Sequence, residues 1–373
     1  MAITYLFIYR LTATILLVGS EHREIRKVQF TGKSTYILSL PKRWIEEMQL
    51  KSGDQVALIR ETDNSLSILP FIGGGLRESL NEVTAEVLPH DSSNTVKRKV
   101  VSMYLAGYDI IHLKLKSNSR INPALRDGIR EVVRRNLIGT EIIADASDNI
   151  TLQVLLSMPE LSISTAIRRM YLIASSMHRD AMLALRELNY DLAKEVVKSD
   201  DEVDRFSLYI LRNLVMAMQN GKMLREMGLE NPSDCLSYRV AAKSIERVAD
   251  HACGIADKAT KLKDKISEKP LQKIDKMSQL AQMVLANSVE SLLRRDYPLA
   301  DKTVDAAENI RILEEDVMTT LEKSNNNSND QTTIRLALEN IRRTAEYASD
   351  IAEVAIDETI DEVTENQTSD RRR

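Results

Sequence analysis

Cysteine is almost absent: Cys235 and Cys253 are the only two in 373 residues. That excludes a disulfide-stapled scaffold and an all-cysteine structural zinc site, and it fits a reducing cytoplasm. Glycine and proline are scarce, at 12 and 8 residues, too few for the many turns of an all-β chain. Aromatics make up 4%, with one Trp and four Phe, so the core must be mainly aliphatic. No charge of one sign dominates. The net charge is −4, and the whole chain exerts no global pull on nucleic acid. What is present is 43% hydrophobic and 28% charged residues, the profile of a folded protein, over a length suited to two or three domains.

The charge is unevenly spread. Residues 1–70 carry nine Lys/Arg against seven Asp/Glu, 71–159 eleven against ten, and 160–373 have 31 against 38. Within 24–45 five basic residues face Glu24 alone. Long apolar runs are also lacking. Ile3 to Gly19 holds 17 residues with Arg10 at its centre. A spanning helix needs about 20 apolar residues, and a central Arg costs roughly 2.5–3.5 kcal/mol. Residues 1–23 therefore read as a leader outside the folded protein, with a membrane anchor or an extra element as alternatives. No firm membrane insertion is expected.

Residues 24–70 read as a small β head. Ile25 to Phe30 makes a strand, Gly32 a turn, and Tyr36 to Leu40 a second strand. Pro41 opens a helical turn over Lys42–Met48, where proline is tolerated. Ser52-Gly53-Asp54 turns into a strand through Val56 and Leu58. Asp63-Asn64 is a hairpin turn before a last strand at Leu66 and Ile68. The Gly32-Lys33-Ser34 turn, the Leu38-Ser39-Leu40-Pro41-Lys42 strand end and the Leu50–Val56 turn resemble the AbrB/MazE/SpoVT swapped-hairpin family. That resemblance implies a homodimer through the β head. It also implies DNA contacts at Arg26, Lys27, Lys33, Lys42 and Arg43. The alternative is a solvated basic rim on a domain that only dimerises. About 45 residues are in any case too few to bury a sufficient core alone.

Phe71 to Gly75 reads as a linker; no Lys-Ser/Thr follows the three glycines as a phosphate loop requires. Residues 76–157 read as a small α/β module. A helix capped by Asn94 ends at Gly107, a half-buried strand spans Ile111–Leu115, and Asn122-Pro123 starts a helix ending near Gly139. Two strands follow, Glu141–Asp145 and Ile150–Leu156, joined at Asp148-Asn149. His90 and His112 read as surface residues, and nothing here names a chemistry.

From Leu161 the period is helical. Six long helices are expected at about 161–188, 190–220, 233–263, 271–295, 297–323 and 331–361, with a disordered tail over 362–373. Residues 241–259 and 337–355 align without gaps, with eight identities in nineteen at an offset of 96. That is an internal repeat, predicting two three-helix bundles, 160–265 and 270–361. Ile245, Val248, Ala249, Ala252, Ile255, Ala256 and Ala259 form the core stripe of one helix, and Val203, Phe206, Ile210 and Leu214 that of another. Off those stripes lie Glu246, Asp250, Cys253 and Asp257, and Asp200, Asp201 and Asp204. Such stripes are commonly just wet. Carboxylates at this spacing also repel unless a cation sits between them.

Asp201-Glu202-Val203-Asp204, then Ile245 to His251 and Ile255-Ala256, resemble the PhoU domain of phosphate-uptake regulators. The resemblance implies metal bound at Asp201, Asp204, Glu246 and Asp250, as Mg, Ca, Mn, Fe or Zn. In the second repeat Arg342 replaces Glu246, Glu346 replaces Asp250, and Glu308 and Arg311 replace Asp201 and Asp204. Only Glu346 and Asp350 remain as weaker metal candidates. The expected fold class is multidomain α+β: a β swapped-hairpin head, a small α/β module and two PhoU-like three-helix bundles. The combination resembles archaeal phosphate uptake regulators. It implies a cytoplasmic regulator of phosphate uptake that binds promoter DNA, with a phosphate transporter's ATPase or a signalling protein as a further partner. The alternative is a PhoU adaptor that does not bind DNA. No nucleophile, base or open histidine site completes an enzyme mechanism.

Overall fold

The computed structural model describes residues 24–32, 35–60, 65–72, 75–76, 80–88, 90–115, 121–155, 161–324 and 327–370. The leader over 1–23, Lys33 and the Asp63-Asn64 turn lie outside them. The chain divides into two compact units, Met1–Ser79 and Leu80–Arg373.

In the first unit, β1 (Gln29–Thr31) and β2 (Thr35–Ile37) pair antiparallel with Phe30 opposite Tyr36, their ring centroids 5.1 Å apart. Pro41, extended at φ −61°, caps α1 (Lys42–Glu47). The following turn is held by Leu50 N–H donating to the Ile45 carbonyl, and by Asp54 accepting from the Lys51 N–H. β3 (Gln55–Arg60) and β4 (Leu66–Ile72) pair along their length. The expected linker is corrected here: Gly75 belongs to β5 (Gly75–Leu76), which folds back on β4 with Ile72 opposite Gly75.

The second unit opens with a four-stranded sheet, β6 (Glu82–Val87), β7 (Ile110–Leu115), β8 (Thr140–Asp145) and β9 (Asn149–Val154), in the order β6-β7-β9-β8. β6 runs parallel to β7, and the remaining pairs are antiparallel. β6 was not among the expected strands, although Val83, Ala85 and Val87 alternate with Glu82, Thr84 and Glu86 as an edge strand's residues do. α2 (Ser93–Leu105) starts at Ser92, whose hydroxyl accepts from the Thr95 N–H, rather than at Asn94. α3 (Pro123–Asn136) starts at Asn122 as expected. Val96, Val100, Tyr104 and Ile129 from the helices bury Ile111, Leu113, Ile150 and Leu152 of the sheet. On the opposite face His112 contacts Glu82 and Thr151, the roles of a surface residue.

The helical part follows the expected periods closely: α4 (Ile163–Glu187), α5 (Tyr190–Gln219), α7 (Asp234–Ala259), α8 (Glu268–Arg294), α9 (Tyr297–Glu322) and α10 (Ser328–Asp370). A short α6 (Gly221–Glu226) lies between α5 and α7, begun by Asn220, whose side-chain Oδ1 accepts from the Lys222 N–H. The tail expected from residue 362 is corrected, because α10 continues to Asp370; no Gly or Pro interrupts it. Helices α4, α5 and α7 pack as one bundle, α8, α9 and α10 as a second, and α7 crosses α10 between them. At that crossing a Cβ on Gly254 would lie 2.2 Å from Asn340 Oδ1. His251 bonds the same Asn340 oxygen at 2.8 Å and stacks on Tyr347. Among the described residues no helix is long and apolar enough to cross a membrane.

The α/β sandwich formed by the four-stranded sheet with α2 and α3 is not a free-standing module. Arg212 of α5, 3% exposed, reaches into the turn after α2. Its guanidinium donates to the carbonyls of Tyr104 at 2.6 Å and Tyr108 at 2.8 Å, and to Asp109 Oδ1 at 2.8 Å. It also lies over the Tyr104 ring, 5.0 Å from the centroid. Burial pushes the Tyr104 phenol far above its usual range, so it stays neutral beneath the cation. This side chain ties α5 to the turn after α2, where Leu208 of the same helix also packs against the sheet layer's core.

Candidate functional site

The core stripe of α5 (Val203, Phe206, Ile210, Leu214) and that of α7 (Ile245 to Ala259) are buried. Packing these stripes together turns the two polar flanks toward a common groove. Asp200 and Asp204 of α5 there meet Glu246 and Asp250 of α7. Burial, reinforced by Asp204, Asp250 and Glu246, raises Asp200 to about 7. Burial, then Glu246 and Asp250, raises Asp204 to about 6. Asp200 Oδ1 is buried without a hydrogen-bond partner, while Glu246 pairs with Lys243 one turn back. Cys253 joins the same cluster: burial, with Asp200, Asp250 and Asp204, pushes its thiol up to about 12, which keeps it protonated.

Asp201, one of the quartet inferred from sequence, is 54% exposed at its side chain and faces Arg135 at 3.8 Å, while its charge still acts on Asp200 and Asp204; Asp200, outside that quartet, joins the cluster. At about 100° per residue, 200 and 204 lie about 40° apart, as 246 and 250 do, while 201 lies about 100° from 200 and about 60° from 204. Among the described residues no three acid, thiol or imidazole side chains are gathered closely enough to grip a metal as they stand.

The second repeat fills the equivalent groove with its own cations. Arg342 pairs with Glu314 at 3.1 Å and with Glu346. Arg311 reaches Glu346 at 3.4 Å and Arg343 reaches it at 3.1 Å. Burial alone would raise Glu346, but these guanidinium groups outweigh it and hold the carboxyl below its usual range. Asp350 is raised by burial and Glu353, with Arg247 opposing. Glu346 and Asp350 thus form no open acidic pair.

On the head, Arg26 pairs with Glu24, Lys42 with Glu46 at 3.5 Å, and Arg43 with Glu47 at 2.9 Å. Such exposed pairs are worth little, about 0–1 kcal/mol, and leave the cations free to exchange partners. Lys27 is exposed. Around them the strands show apolar side chains to solvent: Phe30 at 59%, Tyr36 at 69%, Leu58 at 68% and Leu66 at 69% exposed. Leu50 and Pro41 are the buried residues among those described in this unit.

Comparison with known proteins matches residues 167–259 and 274–355 to the PhoU domain, and residues 29–70 to the antidote-toxin recognition MazE family of bacterial antitoxins. A curated relative, the phosphate-specific transport system accessory protein PhoU homolog of Aquifex aeolicus, is 29% identical over 127 residues, 33% of this chain. The chain spans about half of that relative's length, 53%. Solved structures of PhoU from Streptococcus pneumoniae (18% identity, TM-score 0.45) and Pseudomonas aeruginosa (19%, 0.47) each align with 52% of this chain and with 91% and 93% of their own. The chain carries a MazE-type domain at its head followed by two PhoU domains.

Proposed function

We propose that this chain is a homodimeric, DNA-binding regulator of phosphate uptake that works in the cytoplasm. Its helical domains respond to a cation or to a partner such as a phosphate transporter's ATPase. The observation that carries this reading is the pairing, on one chain, of a basic head with uncovered apolar strands and two PhoU domains. Covering Phe30, Tyr36, Leu58 and Leu66 on both protomers would yield roughly 12–24 kcal/mol at about 1.5–3 kcal/mol per side chain. Association costs roughly 4–15 kcal/mol, a cost that covering these strands can offset. Dimerisation also doubles the basic surface offered by Arg26, Lys27, Lys42 and Arg43.

Asp200, Asp204, Glu246 and Asp250 would hold the cation. Carboxylate oxygens suit hard ions such as Mg²⁺, Ca²⁺ or Mn²⁺, and the orphaned Asp200 oxygen supports a role in binding one. A bound cation would offset the mutual repulsion of the four groups. The side chains must first move together to reach it, and Asp200 and Asp204 must give up protons. The Arg-filled groove of the second repeat leaves one such site per chain. DNA pull-down and sequencing from native cells tests the regulator. Enrichment at phosphate-transport promoters is expected; a uniform genomic background overturns DNA regulation.

A further inference from the structure

The sandwich meets the first PhoU bundle along α3 and α5, and a groove of about 500 Å³ runs between them. It shares Arg134 and Arg135 with a second hollow of about 530 Å³ along α3. The cations of this groove are not all neutralised. Arg135 has Glu131 at 3.3 Å and Asp201 at 3.8 Å, and Lys198 has Glu195 at 2.6 Å. Arg134 and Arg205 have no ion-pair partner among the described residues. The dipole of α3 favours cations in its last turn, which accounts for Arg134 and Arg135. It does not account for Arg205, which lies in mid-helix on α5. Two unpaired guanidinium groups lining one groove suit separate oxygens of an anion carrying more than one charge.

The opposite charge is present in smaller measure. Glu202 lines the groove without a partner, and Ser199 adds a hydroxyl. A carboxylate and a hydroxyl accept hydrogen bonds from sugar hydroxyls or amino groups. The groove's four cations and two carboxylates are too evenly matched for a duplex-DNA track, which needs a continuous basic stripe. The volume lies within the usual range of small-molecule sites, about 300–1,000 Å³.

We propose that the groove between α3 and α5 binds a nucleoside di- or triphosphate. Arg134 and Arg205 take the phosphates, and Glu202 and Ser199 take the nucleoside. Because α3 belongs to the sandwich and α5 to the bundle, a ligand there touches both layers, which gives the sandwich a role.

The test is isothermal titration of ATP into metal-free, full-length protein at low salt, with pyrophosphate as competitor. Saturable ATP binding that pyrophosphate displaces is expected. Arg134→Gln with Arg205→Gln should weaken it at least tenfold with an unchanged melting midpoint. Lys194→Gln, an exposed charge outside the groove, should leave it unchanged. Absence of saturable binding overturns the proposal. So does an equal loss in Lys194→Gln, which would mean diffuse charge attraction. Loss of duplex-DNA binding alone in the double variant would assign these arginines to nucleic acid instead.

Discussion

Arg212→Met removes the side chain that joins sheet layer to bundle. It leaves Asp109 without its guanidinium and the Tyr108 carbonyl without its donor, while the Tyr104 carbonyl keeps only the Gly107 N–H. Breaking one side of such a buried pair costs about 3–5 kcal/mol. For a unit this large, 1 kcal/mol moves the melting midpoint by about 2 °C, so a fall of about 6–10 °C is expected. Arg212→Lys keeps the charge but loses the planar fork, and an intermediate fall is expected. Arg205→Met, exposed on the same helix, should change stability by less than about 0.5 kcal/mol. Trp44, the one tryptophan, lies in the other unit, so fluorescence would miss the event; calorimetry or helical ellipticity reports it. A midpoint for Arg212→Met within 1 °C of wild type would refute the claim that this residue fastens the layers.

Lys42→Ala with Arg43→Ala should weaken duplex binding and flatten its salt dependence without dissociating the dimer, as gel shifts at several salt concentrations would show. A chain beginning at Leu80 should lose most self-association by light scattering; a truncated form that stays dimeric would move the interface to the helices. Asp200 and Asp204 titrate in the fold well above an unfolded Asp. Their contribution is therefore fully present below about pH 4 and lost as pH rises through 6 to 7. The metal-free protein should gain stability between pH 8 and pH 5, and Asp200→Asn should flatten that slope in melting curves. Elemental analysis of protein purified without chelator should find metal in the wild type and less in Glu246→Gln with Asp250→Asn. Equal content in both would leave the groove as a wet face or a docking surface.

The helical half was legible because its signals are long and redundant. The six periods placed α4, α5, α7, α8 and α9 within a few residues of their observed bounds and the start of α10 likewise, though α10 runs nine residues past its expected end; the 96-residue offset identified the duplication. Strands are shorter and signal less. β6 was missed because its six residues are flanked by no strong turn dipeptide, and β5 because a triple glycine reads as a linker. Side-chain direction was legible where helical spacing fixes it, as for Asp204, Glu246 and Asp250. Choosing Asp201 over Asp200 followed the family motif instead of the helix angle. Arg212 could not be found from sequence. Its partners are three backbone carbonyls and Asp109, more than 100 residues away, and backbone carries no residue signature.

The crossing of α7 over α10 has a consequence for how this duplication can evolve. Position 254 answers to position 350 under the 96-residue offset, and these hold Gly and Asp. No side chain fits at 254 while Asn340 stands where it does. The two copies are therefore no longer interchangeable. Transplanting the second repeat's sequence into the first would set an aspartate against Asn340, whose side chain would have to turn away from His251 and the Leu336 carbonyl to admit it. The two halves therefore differ at their crossing as well as in the charges of their grooves.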